Sequence, residues 1–530
     1  MLDFIKNIFS LSDNNSKNKV AAEQDAVPQV ENLKVSSILL KNKENIKSIF
    51  YNCSDLTIRE IRIENNPKYS AMVVYFYNLC KTELIDKIII NKLTDKNEGL
   101  TYNPSSIEYS KYLLGVNEEN IHMELDKVRD SLLSGKLILF INGINKALAI
   151  SINNPPGRSV EEPAIEITLR GPREGFTESI ATNTALIRKK IKSSNLKMEA
   201  FVMGRETKTD VRIAYLANIA NPKIVQELKD RLNKIDVDAV LGANYIKEYI
   251  TDERIFGFPT LFTTERPDLA AGKLLDGRIA ILVDGTPVVT TLPAVFIEFL
   301  NSTEDYYLNY IPATINRWIR YISFVLALVL PGSYVAIITF HQEVIPTSLL
   351  ITIIKARSLV PYPTFLECFL LLLAFEILRE AGVRMPKAIG QAISVVGALV
   401  LGQAAVEAGL VSTPMVIVVS ITAIASFTAT NIDISSAIIF PRFIFLVLGG
   451  SFGLLGITGG IIILLIKLIS MRSFGVPYLS PMAPVIYNEI PDALIRLPHW
   501  LRFKRPWLIT GQKSIKRKQQ GNEKVMKEDE

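Results

Sequence analysis

The sequence has few of the residues that build disulfide frameworks, metal sites or histidine-based catalysis. Its 530 residues include only 3 cysteines and 3 histidines. They lie far apart in the chain, at Cys53, Cys80 and Cys368 and at His122, His341 and His499. Such spacing supplies neither a zinc-ligand motif nor a histidine beside a nucleophile, and the odd cysteine count gives no disulfide framework. We therefore predict no metal, no cofactor, no catalytic residues and no enzymatic activity.

Two further signals are missing, one for nucleotide binding and one for export. No Gly-Lys-Ser or Gly-Lys-Thr follows a predicted strand, so the Asp284-Gly285 turn is not part of a phosphate-binding loop. The first residues contain no secretory signal, because Lys6 and Asn7 interrupt their apolar positions. We expect the N-terminal half to lie on the cytoplasmic side of a membrane.

Charge is almost absent from three long runs in the second half of the chain. Residues 321–340 and 443–466 contain no charged side chain, and 388–432 contains only Glu407. A helix of about 20 apolar residues crosses the roughly 30 Å hydrocarbon core of a bilayer. The basic residues between Arg502 and Lys518 are of the kind that holds a chain end on the cytoplasmic face. Nucleic acid is therefore not predicted as a partner.

Residues before about 315 show the mixed pattern of an α/β protein. Pairs of apolar runs flank Asn142-Gly143 and Asp284-Gly285, and such dipeptides form tight turns between antiparallel strands. Pro155-Pro156-Gly157 breaks the chain between these two regions. No internal repeat is apparent. We predict an α/β soluble N-terminal region with two mixed α/β subdomains, followed by an all-α polytopic membrane domain.

Five segments follow from these boundaries. They are a flexible leader (1–34), two α/β subdomains (35–153 and 154–315), a transmembrane helical domain (316–470) and a C-terminal basic cytoplasmic tail (471–530).

The number of membrane spans stays open between four and six. The four strong candidates, which put both chain ends on one side, are 321–340, 388–411, 414–430 and 443–466. Segment 364–380 is a doubtful fifth span, because it contains four charged residues. We expect Pro331-Gly332 to kink the first span, and the many glycines of the last span to allow close helix packing.

One predicted helix carries a stripe of candidate pore-lining residues. Val396, Val400, Gln403 and Glu407 are spaced four, three and four residues apart, which places them on one helix face. In a ring of identical helices the valines would form an apolar constriction, and Gln403 and Glu407 would form a polar mouth that favours cations. In the alternative interpretation, Glu407 lies at a membrane interface and the valines pack against neighbouring helices.

A second group of charges lies on segment 364–380. Its members are Glu367, Glu376, Arg379 and Glu380, and Glu376 and Glu380 share a helix face. Internal ion pairing or an interfacial position of this helix would explain them.

A series of short motifs, in order along the chain, resembles the GerA family, the A subunits of spore nutrient germinant receptors. In the first half they are Pro-Pro-Gly-Arg (155–158), Gly-Pro-Arg-Glu-Gly-Phe (171–176), Asn-Thr-Ala-Leu-Ile-Arg (183–188), Thr-Glu-Arg-Pro-Asp (264–268), Asp-Gly-Thr-Pro (284–287) and Glu-Asp-Tyr-Tyr (304–307). In the apolar half they are Phe-His-Gln-Glu (340–343), Phe-Glu-Ile-Leu-Arg-Glu-Ala-Gly (375–382), Gly-Gln-Ala-Ala-Val-Glu-Ala-Gly (402–409) and Arg-Ser-Phe-Gly-Val-Pro-Tyr (472–478).

The resemblance implies a function that composition does not show. Members of this family reside in the spore inner membrane and work with a transporter-like B subunit and a lipoprotein C subunit. The A subunit would form a homo-oligomer within membrane lipid that conducts monovalent cations, with the stripe from Val396 to Glu407 lining its pore. Two alternatives stay open: a stage V sporulation paralogue that shares many of these motifs, and a secondary transporter with substrate sites in its own spans.

Overall fold

The structure is a computed structural model, and it describes residues 33–66, 69–94, 108, 114, 117–152, 161–163, 166, 168, 170–253, 257–384, 399–487, 489–502 and 505–511. Two five-stranded sheets come first, and the chain is mostly helical from Tyr310 onward. This order confirms the predicted fold class, an α/β region followed by a region of apolar helices. The predicted leader lies almost wholly outside the described residues, and the predicted domain boundaries stay predictions.

The first sheet is antiparallel, with the strand order β1-β2-β4-β5-β3. Its strands are β1 (Leu56–Arg62), β2 (Ser70–Phe76), β3 (Ile121–His122), β4 (Lys136–Ile141) and β5 (Ala147–Ser151). Its helices are α1 (Leu39–Ile49) and α2 (Leu125–Leu133), with shorter helical pieces at Thr82–Leu84, Ile85–Ile90 and Asn91–Thr94. Side chains on both faces of β2 are buried, those of Val73 and Val74 among them, because helices cover each side of the sheet.

The second sheet is also antiparallel and has the order β6-β7-β9-β10-β8. Its strands are β6 (Leu196–Met203), β7 (Thr209–Leu216), β8 (Phe262–Thr264), β9 (Ile279–Val283) and β10 (Val289–Leu292). Its helices are α3 (Ile180–Lys190), α4 (Pro222–Asn233), α5 (Ala243–Ile250), α6 (Pro267–Leu275) and α7 (Phe296–Leu300). The side chain of Asn221 accepts a hydrogen bond from the backbone N–H of Lys223, and this cap starts α4 at Pro222.

The two sheets repeat one topology, since replacing β1–β5 by β6–β10 converts the first strand order into the second. In each unit a glycine with positive φ precedes the fourth strand, Gly135 (φ 83) in one and Gly277 (φ 90) in the other. A second such glycine joins the fourth strand to the fifth, Gly143 (φ 88) or Gly285 (φ 77). The expectation of no internal repeat was wrong, because the shared pattern consists of turn glycines and apolar positions rather than of identical residues.

A buried ion pair joins the two units. Arg188 of α3 donates hydrogen bonds to both carboxylate oxygens of Asp55, which precedes β1, and the two side chains are 1% and 0% exposed. The guanidinium group also lies 4.2 Å from the centre of the Phe76 ring. Nearby, burial lowers the pKa of Lys197 to about 8, although its ammonium lies over the ring of Tyr51. The contact between the units is therefore charged as well as apolar.

Among the described residues from Tyr310 onward, six α-helices have six or more residues. They are α8 (Tyr310–Phe340), α9 (Thr347–Arg357), α10 (Thr364–Arg384), α11 (Thr413–Phe427), α12 (Ile432–Ala437) and α13 (Ile439–Ser470). Among the described residues, two segments are long and apolar enough to cross a membrane, Tyr310–Phe340 and Ile432–Ser470. α8 continues through Pro331 without a break. The predicted span at 388–411 is described only from residue 399 onward.

Helix α11 is shorter than the span predicted at 414–430. It has 15 residues and ends at Phe427, so it is about 22 Å long. After the helix ends, the Thr430 hydroxyl donates to the carbonyl of Asn301 at 3.2 Å, so the uncharged residues that follow Phe427 pack against the α/β part. The hydropathy pattern marked the apolar run 414–430, but it did not show that the helix ends within this run.

Helix α13 turns back on itself at Gly453, whose φ of 62° and ψ of −146° are not helical. A methyl group on Gly460 would lie 2.9 Å from the ring of Phe445. Along a straight helix these two residues would lie about 22 Å apart. α13 is therefore two antiparallel arms, 439–452 and 454–470. The prediction of one span at 443–466 was wrong, because hydropathy does not reveal a turn made by one glycine within an apolar run.

Glycines bring the first arm of α13 against α8, as the sequence predicted for this segment. A methyl group on Gly332 would lie 2.5 Å from the carbonyl oxygen of Phe445, and one on Gly449 would meet the carbonyl oxygen of Gly332. The two backbones are thus in direct contact, an approach that any larger side chain would prevent.

We expect Gly449→Ala to destabilise the protein, because its methyl group would overlap the backbone of α8. Overpacking of this kind costs on the order of 1–3 kcal/mol. Gly459→Ala is the matched control, since it lies on the same helix and no atom lies within 4 Å of the added methyl group. Thermal unfolding of the detergent-purified chain measures both variants. Equal unfolding midpoints for the two would contradict the close helix crossing.

Candidate functional site

The predicted pore stripe is described only in part. Val396 lies outside the described residues, and the backbone of Val400 belongs to a π-helical turn, Leu399–Ala404, that continues into Ala405–Glu407. The Gln403 amide donates a 3.0 Å hydrogen bond to the carboxylate of Glu407, and both side chains are exposed. Gln403 and Glu407 therefore share a helix face, and the pore-lining role of the four residues stays a prediction.

Glu367 is a buried acid that connects three helices. Its side chain is 1% exposed, and one carboxylate oxygen accepts hydrogen bonds from the backbone N–H (2.7 Å) and the hydroxyl (2.6 Å) of Ser412. Ser412 precedes α11, so the carboxylate satisfies a free N–H at a helix N-terminus and interacts favourably with the helix dipole. The guanidinium group of Arg357, on α9, lies 3.7 Å from the other oxygen.

Glu376 belongs to a second network, which is partly buried. Its carboxylate lies 2.9 Å from Arg379 and 2.8 Å from Arg442. Arg442 is 1% exposed and also donates from Nε to the carbonyl of Ala327 at 2.7 Å. The network therefore connects α8, α10 and α13. It confirms internal ion pairing, one of the two explanations given above for the charges on segment 364–380.

A third network, which we call the junction cluster, lies where the α/β part meets α8. Asp305 is 1% exposed and accepts hydrogen bonds from Arg317, at 2.9 Å, and from Arg320. The two arginines lie three residues apart and share a face of α8. Removing the charge of one of these three side chains would leave a buried charge without its partner. The contributions of the three side chains to stability are therefore coupled.

The chain after α13 completes the junction cluster. Arg496 donates from Nε to the backbone carbonyl of Asp305 at 3.2 Å, and Trp318 donates to the carbonyl of Leu494 at 2.9 Å. Phe474 and Val476, beside the short strands Arg472–Ser473 and Val476–Pro477, are buried in the core of the second sheet unit. The described residues after 470, predicted as a tail, therefore pack against the α/β part.

A neighbouring acid, Glu298 on α7, is held by two cations on the second sheet unit. The ammonium of Lys273 lies 2.7 Å from its carboxylate, and Arg278 forms a second ion pair with it. Burial nevertheless lowers the pKa of Lys273 to about 8. Among the described residues, no group of three or more His, Cys, Asp or Glu side chains could hold a metal ion. These networks hold the helices against one another and against the sheets.

Sequence reasoning missed the junction cluster. Arg317 and Arg320 look like ordinary charges flanking an apolar run, and Asp305 was noted only as part of the Glu-Asp-Tyr-Tyr motif. The sequence did contain one signal for this cluster: Arg317 and Arg320 lie three residues apart near the start of a long predicted helix, so they share a face of it. Arg496 gave no signal, because it is 191 residues from its partner in the chain.

The fold and these networks define a class of protein in which a duplicated α/β domain is fixed by buried ion pairs to a bundle of apolar helices. Residues 44–508 match the family model for the Bacillus/Clostridium GerA spore germination protein. The chain belongs to this family, which confirms the resemblance drawn from its motifs.

Named relatives cover nearly the whole chain. Spore germination protein KA of Bacillus subtilis (strain 168) is 42% identical over 482 residues, which is 91% of this chain and 88% of that protein. The uncharacterized membrane protein YfkQ of the same organism is 41% identical over 490 residues, 91% and 94% of the two chains. Spore germination protein GerLA of Bacillus cereus is 33% identical over 490 residues, 92% and 99%.

One solved structure is also similar, the N-terminal domain of the A subunit of the Bacillus megaterium spore germinant receptor GerK3. It is 34% identical, covers 50% of this chain and 98% of its own, and has a TM-score of 0.40.

We expect Asp305→Asn to destabilise the protein, because two buried guanidinium groups lose their counter-charge. Breaking a buried ion pair from one side costs on the order of 3–5 kcal/mol. Asp236→Asn is the control: it also removes an Arg–Asp pair, but Asp236 and Arg205 are exposed, so little change is expected. Thermal unfolding and limited proteolysis between the two parts measure the effect, and similar stability of the two variants would contradict a structural role for Asp305.

Proposed function

We propose that this protein is the A subunit of a spore nutrient germinant receptor, and that copies of it assemble into a cation-conducting channel in the spore inner membrane. The observation that supports this proposal is the exposed Gln403–Glu407 pair in a region of apolar helices. A carboxylate is costly to leave against lipid, and such groups face a bundle interior or water. A ring of copies would bring these side chains together around a water-filled path.

Within such a ring the four stripe residues would have two roles. Val396 and Val400 would form an apolar constriction that closes the path by excluding water. Gln403 and Glu407 would form a polar mouth, where several carboxylates raise the local concentration of monovalent cations and repel anions. The α/β part would assemble the complex and transmit the signal, in contact with a transporter-like B subunit and a lipoprotein C subunit.

The contacts between helices favour a chain that crosses the membrane an even number of times. We call the level of Arg320 and the sheets the near end, and the level of Phe340 the far end. The first arm of α13 runs from near to far beside α8, since Arg442 contacts Ala327 and Gly453 lies next to Phe340. The second arm returns, and the chain after it packs against the sheets.

Helices α10 and α11 both run from the far end to the near end. Phe365 lies beside Gly450, whereas Glu376 contacts Arg442. α11 begins next to Glu367, and Thr430 contacts the carbonyl of Asn301 after it ends. The span predicted at 388–411 would connect the near end of α10 with the far end of α11. We therefore propose six crossings, with both described chain ends on the cytoplasmic side.

Cysteine labelling tests this topology. In a cysteine-free background, we expect Glu343→Cys to react with a membrane-impermeant maleimide from one side, and Lys234→Cys, Ser436→Cys and Arg472→Cys to react from the other. All four positions are exposed. Ser436 distinguishes most clearly between six and four crossings, because a topology with four straight spans puts Ser436 on the same side of the membrane as Glu343. Labelling of Ser436→Cys and Glu343→Cys from the same side would contradict six crossings.

We expect Glu407→Gln to lower potassium flux severalfold, because the substitution keeps the side-chain shape and removes the charge at the proposed mouth. The measurement is potassium efflux from vesicles that contain the purified full chain, with chloride flux recorded in parallel. Glu343→Gln is the control, since it removes an exposed carboxylate at the far end outside the stripe. Absence of flux through the unmodified chain would argue against a channel, and equal flux through both variants would remove Glu407 from the pore.

A further inference from the structure

Helix α8 carries an exposed apolar seam that starts before the uncharged run and continues into it. Its members are spaced four, three, four and three residues apart, and each is between 51% and 60% exposed: Ile311, Ile315, Trp318, Ile322 and Val325. This alternation is the spacing of the contact positions where two helices pack side by side over several turns. We call these five residues the α8 seam.

The first three turns of α8 lie beside the α/β part of the protein. The buried Arg317 and Arg320 pair with Asp305, and the Thr314 hydroxyl accepts a hydrogen bond from the backbone N–H of Arg496 at 3.1 Å. These turns therefore direct their charged face toward the protein and their apolar face outward. A helix whose outer face is covered only by water has the opposite arrangement, with its polar face outward.

The start of the α8 seam extends beyond the reach of lipid. The uncharged run begins at Tyr321, and Ile315 and Ile311 precede it by six and ten residues, which is about 9 and 15 Å along a helix. The headgroup layer on one side of a bilayer adds only about 5–8 Å to the hydrocarbon core. Lipid therefore leaves the first part of the seam uncovered, and contiguous apolar surface at the level of a water-soluble domain marks a contact with another protein.

We propose that the α8 seam packs against a second copy of this chain, and that this contact holds neighbouring copies together at the cytoplasmic face of the membrane. A partner that covers the whole seam must itself pass from water into lipid beside α8, because Ile322 and Val325 belong to the uncharged run. Copies in one membrane meet this condition, since their α8 helices all cross it in the same direction. No seam residue is charged, so the seam offers no ion pair to a charged partner.

This contact would lie directly behind the junction cluster. The same turns of α8 present Arg317 and Arg320 to Asp305 on one face and Ile315 and Trp318 to the neighbouring copy on the other. A shift of the α/β part that moves α8 would therefore reach the neighbouring copy through this one helix. The inference rests on the proposed assembly of copies, but it does not depend on ion conduction.

Energy transfer between donor- and acceptor-labelled copies of the full chain, attached at Lys234→Cys in a cysteine-free background, measures their association in vesicles over a range of protein-to-lipid ratios. We expect Ile311→Gln combined with Ile315→Gln to weaken association about tenfold or more, because two apolar contacts are lost without a change of charge. Val202→Gln combined with Leu241→Gln is the matched control, since both side chains are exposed and apolar but lie outside α8. A monomeric unmodified chain would overturn this inference together with the proposed assembly. Equal association of the two double variants would overturn this inference alone.

Fluorescence quenching distinguishes a neighbouring copy from water and from lipid. A bimane label at Ile315→Cys, in the same background and diluted into unlabelled chain, is exposed in turn to iodide in the water and to brominated lipids. We expect protection from both quenchers, because a neighbouring copy excludes water and lipid alike. Lys234→Cys should respond to iodide and Ile463→Cys, which is exposed on the second arm of α13, to brominated lipids. Quenching at Ile315→Cys as strong as at either control position would overturn the proposal.

Discussion

The carboxylate of Asp305 and the guanidinium groups of Arg317 and Arg320 are withdrawn from water where the sheets meet the first long helix. Buried charges are tolerated only when each has its partner in place. The position of α8 relative to the α/β part is therefore restricted. Arg496 brings the chain after α13 to the same point, so both ends of the helical part are held together.

Ion pairs, hydrogen bonds and close backbone packing together hold the helical part together. Apolar surface gives little specific direction to helices surrounded by lipid, where association depends on packing and on polar contacts. The Glu376–Arg442 pair and the Glu367–Ser412 contact fix which helices are neighbours, and Gly332 and Gly449 set how closely two of them approach. The side chains of Gln403 and Glu407 are left exposed in this arrangement.

Much of the α/β part could be predicted, because its signals are local. The Asn142-Gly143 and Asp284-Gly285 turns and the alternating apolar runs around them correspond to β4–β5 and β9–β10. The repeat of the unit was missed although Gly135, Gly143, Gly277 and Gly285 mark it at equal spacing, since comparing two regions requires knowing which strands correspond. Of the candidate site, the shared face of Gln403 and Glu407 could be predicted, because a spacing of four residues places two side chains one helical turn apart.

The sequence by itself determined the division into an α/β region and apolar helices, the family, and the location of the long apolar runs. Each of these three features depends on the composition of a segment or on short motifs, and both are formed by residues that are close in the sequence. Only the tertiary structure decided that α13 is two arms and that Arg496 reaches Asp305. These features depend on the φ of a single glycine or on contacts between residues far apart in the chain. Hydropathy averages over such details, and a pattern within one segment cannot show which distant residue supplies the partner for a buried charge.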